Sequence, residues 1–183
     1  MKPTTVVSNS TFIEHGLTEI FGQEFFGAHP EDVSAQSNLM NLRESAFRNL
    51  GQPETRGMYV RAGRAAFYYW MRQYAKSLGW LEVEFRLLPA PARIKQALTE
   101  ALQWFETENF LKGELISTEN AWQIAVTGLV GDGVRLECNT YIGMIQELAC
   151  WAGAGKFYPA REIECQADGS DSCLFEISKL PAG

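Results

Sequence analysis

The chain has 183 residues, 46% hydrophobic and 21% charged, and 22 acidic residues against 16 basic ones give it a formal net charge of −6. This is the composition of one globular domain spanning 1–183, long enough to bury a core. The acidic balance and the lack of a basic cluster exclude a binder of nucleic-acid backbone; no apolar run reaches the ~18 residues of a membrane span, and Met1–Ser8 shows no signal-peptide core, so the cytoplasm is the expected location.

Residues 1–35 read as an N-terminal arm or short helices, with Phe21, Phe25 and Phe26 near glycines. Leu39, Leu42, Ala46 and Leu50 recur at helical spacing and predict a helix over Asn38–Leu50, stopped by Gly51 and Pro53. A second helix is predicted over Arg56–Leu78, closed by Gly79. Alternation at Leu81, Val83 and Phe85 predicts a short strand or connector over Trp80–Leu88, before Pro89 and Pro91. Ala92–Phe110 reads as a helix burying Ile94, Leu98, Ala101, Leu102 and Phe105. Strands are predicted at Gly113–Ser117 and Ala121–Thr127, a loop at Gly131–Gly133, a helix from Cys138 to Ala152 stopped by Gly153-Ala154-Gly155, and strands at Phe157–Ala167 and Ser172–Ser178. Helices around an antiparallel β-meander make an α+β fold.

The second helix carries Phe67, Tyr68, Tyr69, Trp70 and Tyr74 after the small residues Ala62, Gly63, Ala65 and Ala66. Phe67, Trp70, Met71 and Tyr74 share a face. Such a stripe is core in most proteins and a pocket wall in some. As a wall, joined by Trp104, Phe105, Trp122 and Tyr141, it suits a flat apolar ligand with a few polar edges. Catalytic signals are thin: the two histidines, His15 and His29, carry no motif, and there is no phosphate loop or dinucleotide fingerprint.

The most specific stretch is Glu162–Ile177. Asp168-Gly169 between alternating segments signals a hairpin. Pairing about Gly169 sets Cys165 opposite Cys173, with Cβ atoms about 4.5–5.5 Å apart. Glu162 lies three residues before Cys165, so strand alternation puts it on the other face unless a bulge brings it round. Cys138 heads the apolar stripe of its helix and points inward, where the helix dipole favours thiolate. Cys150, more than three turns on, stands apart. Three states stay open for these sulfurs: a shared metal, free buried thiols, or a disulfide.

The string Glu162-x-x-Cys165-x-Ala167-x-Gly169-x-x-x-Cys173-x-Phe175-x-Ile177 resembles the 4-vinyl reductase, or hydrocarbon-binding, domain family. Members include a protein of bacteriochlorophyll synthesis, stand-alone proteins of photosynthetic bacteria, and the sensor domains of phenol- and xylene-responsive activators. The resemblance implies a fold like the small subunits of the TRAPP tethering particle, with an apolar channel. In the aromatic-sensing members a structural zinc ion is held by a set that falls here on Cys138, Glu162, Cys165 and Cys173, with Arg161, Arg135 or Lys156 as counter-charges. It further implies a homodimer that binds a hydrophobic molecule such as a tetrapyrrole, as carrier of a chlorophyll precursor or photosystem-assembly factor with protein partners in that pathway. A vinyl-reductase-type enzyme drawing on an external reductant and a tethering scaffold are the alternatives. No NADPH or flavin site is visible, which favours binding over catalysis.

Overall fold

A computed structural model describes residues 11–22, 51–108, 111–127, 130–131, 134–135 and 138–182. The helix expected over Asn38–Leu50, His29, and most of the N-terminal arm fall outside them. Within the arm, α1 runs Thr11–Phe21 and buries Phe12, Ile13, Leu17 and Phe21 on one face.

Helix α2 spans Gln52–Tyr74 and starts earlier than periodicity predicts. Pro53 sits in its first turn, where the missing N–H costs nothing, and Thr55 Oγ1 donates to the Gly51 carbonyl at 2.5 Å. The chain turns at Gly79 (φ 72°), and the Trp80 N–H closes the end on the Ala75 carbonyl at 2.9 Å.

Where alternation predicted a strand over Trp80–Leu88, the structure has a one-turn helix, α3, at Val83–Leu87. Leu81 and Val83 are exposed at 56% and 62%, while Trp80 and Phe85 are buried. The anchors are thus five residues apart, the wrong period for a strand, and Pro89 prevents continuation. Helix α4, Ala90–Thr107, carries Pro91 in its first turn and buries Ile94, Ala97, Leu98, Ala101 and Phe105, one stripe of a 3.6-residue period.

The sheet is antiparallel. Strands β1 (Lys112–Ser117) and β2 (Ala121–Thr127) form one hairpin. Residues Val130–Gly131 (β3) and Val134–Arg135 (β4) pair as a small separate ribbon, and Asp132 and Gly133 of the expected loop lie outside the described residues. Helix α5 spans Cys138–Ala152. It ends on left-handed Ala154 (φ 61°) and Gly155 (φ 79°), with the Gly155 N–H donating to the Cys150 carbonyl at 2.8 Å. Strands β5 (Ala160–Glu164) and β6 (Cys173–Ser178) make the second hairpin, and β6 lies beside β2, giving the order β1-β2-β6-β5. Two hairpins joined at β2 and β6 therefore replace a simple meander.

One sheet face buries Trp122, Ile124, Val126, Cys173, Phe175 and Ile177. The other carries the polar row Gln123–Glu176–Arg161, in which Gln123 Nε2 donates to Glu176 at 3.1 Å and Arg161 pairs with it at 2.6 Å. Helix α5 packs against α2 and α4 and against β5 and β6. It is buried nearly all round, as a central helix must be. Its crossing with α2 is glycine-dependent: a Cβ on Gly63 would lie 1.9 Å from the Thr140 carbonyl oxygen, and one on Gly143 would lie 2.0 Å from that of Val60.

Candidate functional site

The chain gathers Cys138, Glu162, Cys165 and Cys173 at one point, with one donor atom from each all within 4.8 Å of one another. Each reaches it for a local reason. Cys138 is the first residue of α5 and faces inward. Cys173 opens β6 on its buried face. Glu162 pairs with Phe175, but Glu164 pairs with Leu174, so the register slips by one residue between them. That bulge supplies the turn of the strand that alternation alone denied to Glu162. Beyond it Cys165 leads into a 3-10 turn at Gln166–Asp168, its carbonyl accepting from the Asp168 N–H at 3.0 Å and the Ser170 N–H at 3.3 Å.

Cys138 Sγ lies 3.5 Å from Cys173 Sγ and 3.7 Å from Cys165 Sγ. The Gln166 N–H donates to Cys173 Sγ at 3.4 Å. The three thiols are buried, and Glu162 Oε1 is a buried oxygen with no hydrogen-bond partner. Burial, then hydrogen bonding to and repulsion from Glu162, pushes the Cys138 thiol far above its ordinary value; burial also raises Cys173. Protonated thiols around an unsatisfied carboxylate oxygen are a poor end state and a good ligand set: a cation would take the protons' place and pair the orphan oxygen. The counter-charges expected from sequence do not assemble. Arg161 turns to Glu176 on the outer sheet face, Lys156 is exposed, and the side chain of Arg135 lies outside the described set. Cys150 is buried apart from the cluster.

A second feature lies beside the first. Phe67 and Trp70 of α2, Leu98, Ala101 and Phe105 of α4, Tyr141, Met144 and Leu148 of α5, Val126 of β2 and Phe175 of β6 enclose an apolar cavity of about 40 Å³, measured as space open to a water-sized sphere. A single water needs about 10–15 Å³ on that measure. Of the side chains named from sequence as a ligand wall, Phe67, Trp70 and Tyr141 border this cavity. Met71 and Tyr74 do not: Tyr74 packs on Trp104, with ring centroids 4.3 Å apart. Trp122 is also elsewhere, under Lys179. Two wall residues carry buried polar atoms without partners, Trp70 Nε1 and Tyr141 Oη. Burial and the neighbouring Cys138 raise the Tyr141 phenol, so it stays a neutral hydroxyl. On the α4 side, Phe105 was expected as wall and borders the cavity, Trp104 was expected and does not, and Leu98 and Ala101 were legible only as helix core.

A polar contact across α2 and α5 gave no sequence signal. Glu147 is buried and accepts from Arg64 Nε and Tyr68 Oη, each at 2.6 Å; the Glu147 hydrogen bond is the main cause lifting Tyr68 to about 12.

An α+β domain with helices over one face of an antiparallel sheet, an apolar cavity and a thiol-rich cluster is the class these observations define. No protein-family model matches the chain, and no curated protein matches it. Solved structures do. An unliganded Fe(II) H-NOX protein from K. algicida is 10% identical, with 96% of this chain and 98% of that one covered at a TM-score of 0.62. The phenol-responsive sensory domain of the transcription activator PoxR, solved with phenol, is 15% identical over 91% and 89% at 0.56. An H-NOX structure solved to probe heme distortion is 12% identical over 98% and 96% at 0.56. At these identities the likeness establishes the fold alone.

The resemblance to the 4-vinyl reductase family and to TRAPP subunits is therefore corrected: the similar folds just described are H-NOX domains and the PoxR sensory domain. The photosynthetic setting and the vinyl-reductase alternative go with it. The string Glu162–Ile177 encodes a bulged, thiol-bearing hairpin, a local device rather than a family signature.

Haem, named for one of the similar H-NOX structures, needs an iron ligand and a wide slot. Haem iron is held by His, Cys, Met or Tyr. Among the described residues no histidine or cysteine borders the cavity. His15 is exposed on α1 and stacked on Tyr69 with centroids 5.0 Å apart. Tyr141 and Met144 border the cavity, but the Tyr141 proton is held tightly and Met144 has no histidine among the lining residues to complete a Met/His pair. A porphyrin disc is far larger than the space described. Haem does not fit this cavity.

Proposed function

We propose that this domain is a small-molecule sensor or binder that encloses a compact guest of single-ring size in the apolar cavity. The cavity itself carries the reading: it is lined by apolar side chains of α2, α4, α5, β2 and β6, and apolar cavities of about 150 Å³ take up benzene-sized molecules, so the walls part to admit a ring. The unpaired Trp70 and Tyr141 groups favour a guest with one hydrogen-bonding oxygen, since a buried orphan group costs about 1–3 kcal/mol. The PoxR domain, of the same fold, was solved with phenol. Phenol and toluene are nearly isosteric and make the test. Both should raise the melting temperature and perturb tryptophan fluorescence, phenol more strongly, and Tyr141→Phe should weaken phenol while leaving toluene unchanged. No response to either compound at millimolar concentration would remove the guest reading.

We further propose that Cys138, Glu162, Cys165 and Cys173 hold one structural zinc ion. A zinc–sulfur bond of about 2.3 Å gives a tetrahedral S···S edge of about 3.8 Å. The two sulfur separations quoted above fall within a few tenths of an ångström of it. Three thiolates and a carboxylate make a closed four-donor site, which fixes structure and leaves no open position for chemistry. Native mass spectrometry of protein purified without chelator should show one zinc per chain, lost in Cys173→Ser. A metal-free mass for the wild-type protein, even after zinc is supplied, would overturn it.

A further inference from the structure

We propose that metal binding and guest binding are coupled in this domain, each strengthening the other, because the two sites are built on the same two elements. This rests on reading the cavity as a guest site and the cluster as a metal centre.

On α5, Cys138 opens the helix, and Tyr141 and Ile145 follow at i+3 and i+7 on the same side. Cys138 belongs to the cluster, and the other two border the cavity. On β6, Cys173 and Phe175 are alternate residues on the buried face. Again the first belongs to the cluster and the second to the cavity wall. Val126, also in the wall, is the register partner of Cys173. An ion bridging Cys138 and Cys173 therefore fixes the separation between the head of α5 and the start of β6, and with it the spacing of Tyr141 from Phe175.

Without an ion, this end of the domain holds three buried sulfurs, two pairs of them 3.5 and 3.7 Å apart, and the partnerless Glu162 Oε1. A buried acceptor in that condition gains by moving toward water. The relief available is separation of the β5–β6 hairpin from the first turn of α5, which moves two cavity walls apart. A guest bound between those walls opposes the separation. The coupling is then reciprocal: the factor by which zinc tightens guest binding equals the factor by which the guest tightens zinc binding.

The experiment uses phenol and toluene as guests and the full chain in three forms: zinc-loaded, cadmium-loaded and chelator-stripped. Guest affinity is measured by calorimetry, and zinc affinity by competition with a chromophoric chelator, with and without saturating guest. Coupling predicts guest affinity at least fivefold weaker in the stripped form, an altered affinity in the cadmium form, whose metal–sulfur bonds are longer, and a matching gain in zinc affinity when guest is present. Should the stripped chain lose its fold by circular dichroism, the zinc and cadmium forms decide the matter between them. Equal guest affinities in every folded form would overturn the coupling while leaving both sites standing. Absence of guest binding in any form removes the guest reading, and absence of metal uptake removes the metal reading; either also ends the coupling.

Discussion

Replacing Gly63 by alanine tests how tightly α2 sets the position of α5. The new Cβ would lie 1.9 Å from the Thr140 carbonyl oxygen, about 1.5 Å short of an ordinary 3.4 Å contact, and 2.8 Å from the carbonyl carbon. Both partners are backbone, so no side chain can swing aside and the helices must part. Overpacking of this kind costs about 3 kcal/mol or somewhat more. The gain in helix propensity from glycine to alanine returns about 1 kcal/mol. The net loss of about 2 kcal/mol lowers the melting temperature by roughly 4–8 °C for a chain of this length. Gly57 supplies the control. It lies in the same helix and is exposed, and its Cβ would meet nothing within 4 Å. Gly57→Ala should raise the melting temperature by about 2–4 °C. Because Thr140 sits between Cys138 and Tyr141, Gly63→Ala should also weaken zinc binding, and Gly57→Ala should not. Calorimetric melts of both variants with a chelator competition assay read all three effects. If Gly63→Ala melts at or above the wild type, α2 does not constrain the first turn of α5 and the close crossing has no structural consequence.

Ala101→Leu should fill the cavity, abolish uptake of phenol and toluene, and hold or raise stability by up to about 1–2 kcal/mol; retained uptake would place the guest elsewhere. Metal-free protein should lose stability in alkali. Unfolded thiols ionise near 9.0 while folded Cys138 and Cys173 keep their protons. The unfolded state then binds fewer protons, so the contribution is full below that value and falls above it, by about 1–3 kcal/mol for the two thiols at about pH 10. Zinc-loaded protein, with its thiols already deprotonated, should lack the decline; parallel urea titrations from pH 8 to 10 check this. Arg64→Ala strands the buried Glu147 carboxylate with Tyr68 and should cost about 1–3 kcal/mol, discounted for the half-exposed arginine, while Arg64→Ala with Glu147→Leu recovers most of it. A double variant no more stable than the single one would show that the carboxylate carries no burial cost.

The sequence was most legible where one short segment carries its own geometry. Asp168-Gly169 placed the hairpin, pairing about Gly169 matches the register of Glu164 with Leu174, and the need for a bulge at Glu162 followed from counting residues. The amphipathic period of Ile94, Leu98, Ala101 and Phe105 placed α4 for the same reason. Legibility failed where distant segments decide. Leu81, Val83 and Phe85 alternate like a strand, yet burial falls on Trp80 and Phe85, because Trp80 packs on Trp70 and Trp151, far from it in sequence, as well as on Phe85 itself. Glu147 looks like any helix glutamate until α2 brings Arg64 and Tyr68 to it. Tyr74 and Trp122 share the aromatic character of Trp70, and Met71 adjoins it on α2, but none of the three borders the cavity, so composition could not separate wall from core. The family reading failed in the same way: a hairpin motif reports a local cluster of donor atoms, whereas kinship of fold is written across all the helices and strands together.

The slipped register of β5 reconciles an odd residue count with a shared sheet face. Excising the single residue Ile163 would leave Glu162 two residues before Cys165, and a straight ladder would then carry both on the buried side by plain alternation. The four donors would still converge. Ile163 is therefore spare length, a place where the strand can lose its kink without surrendering a donor.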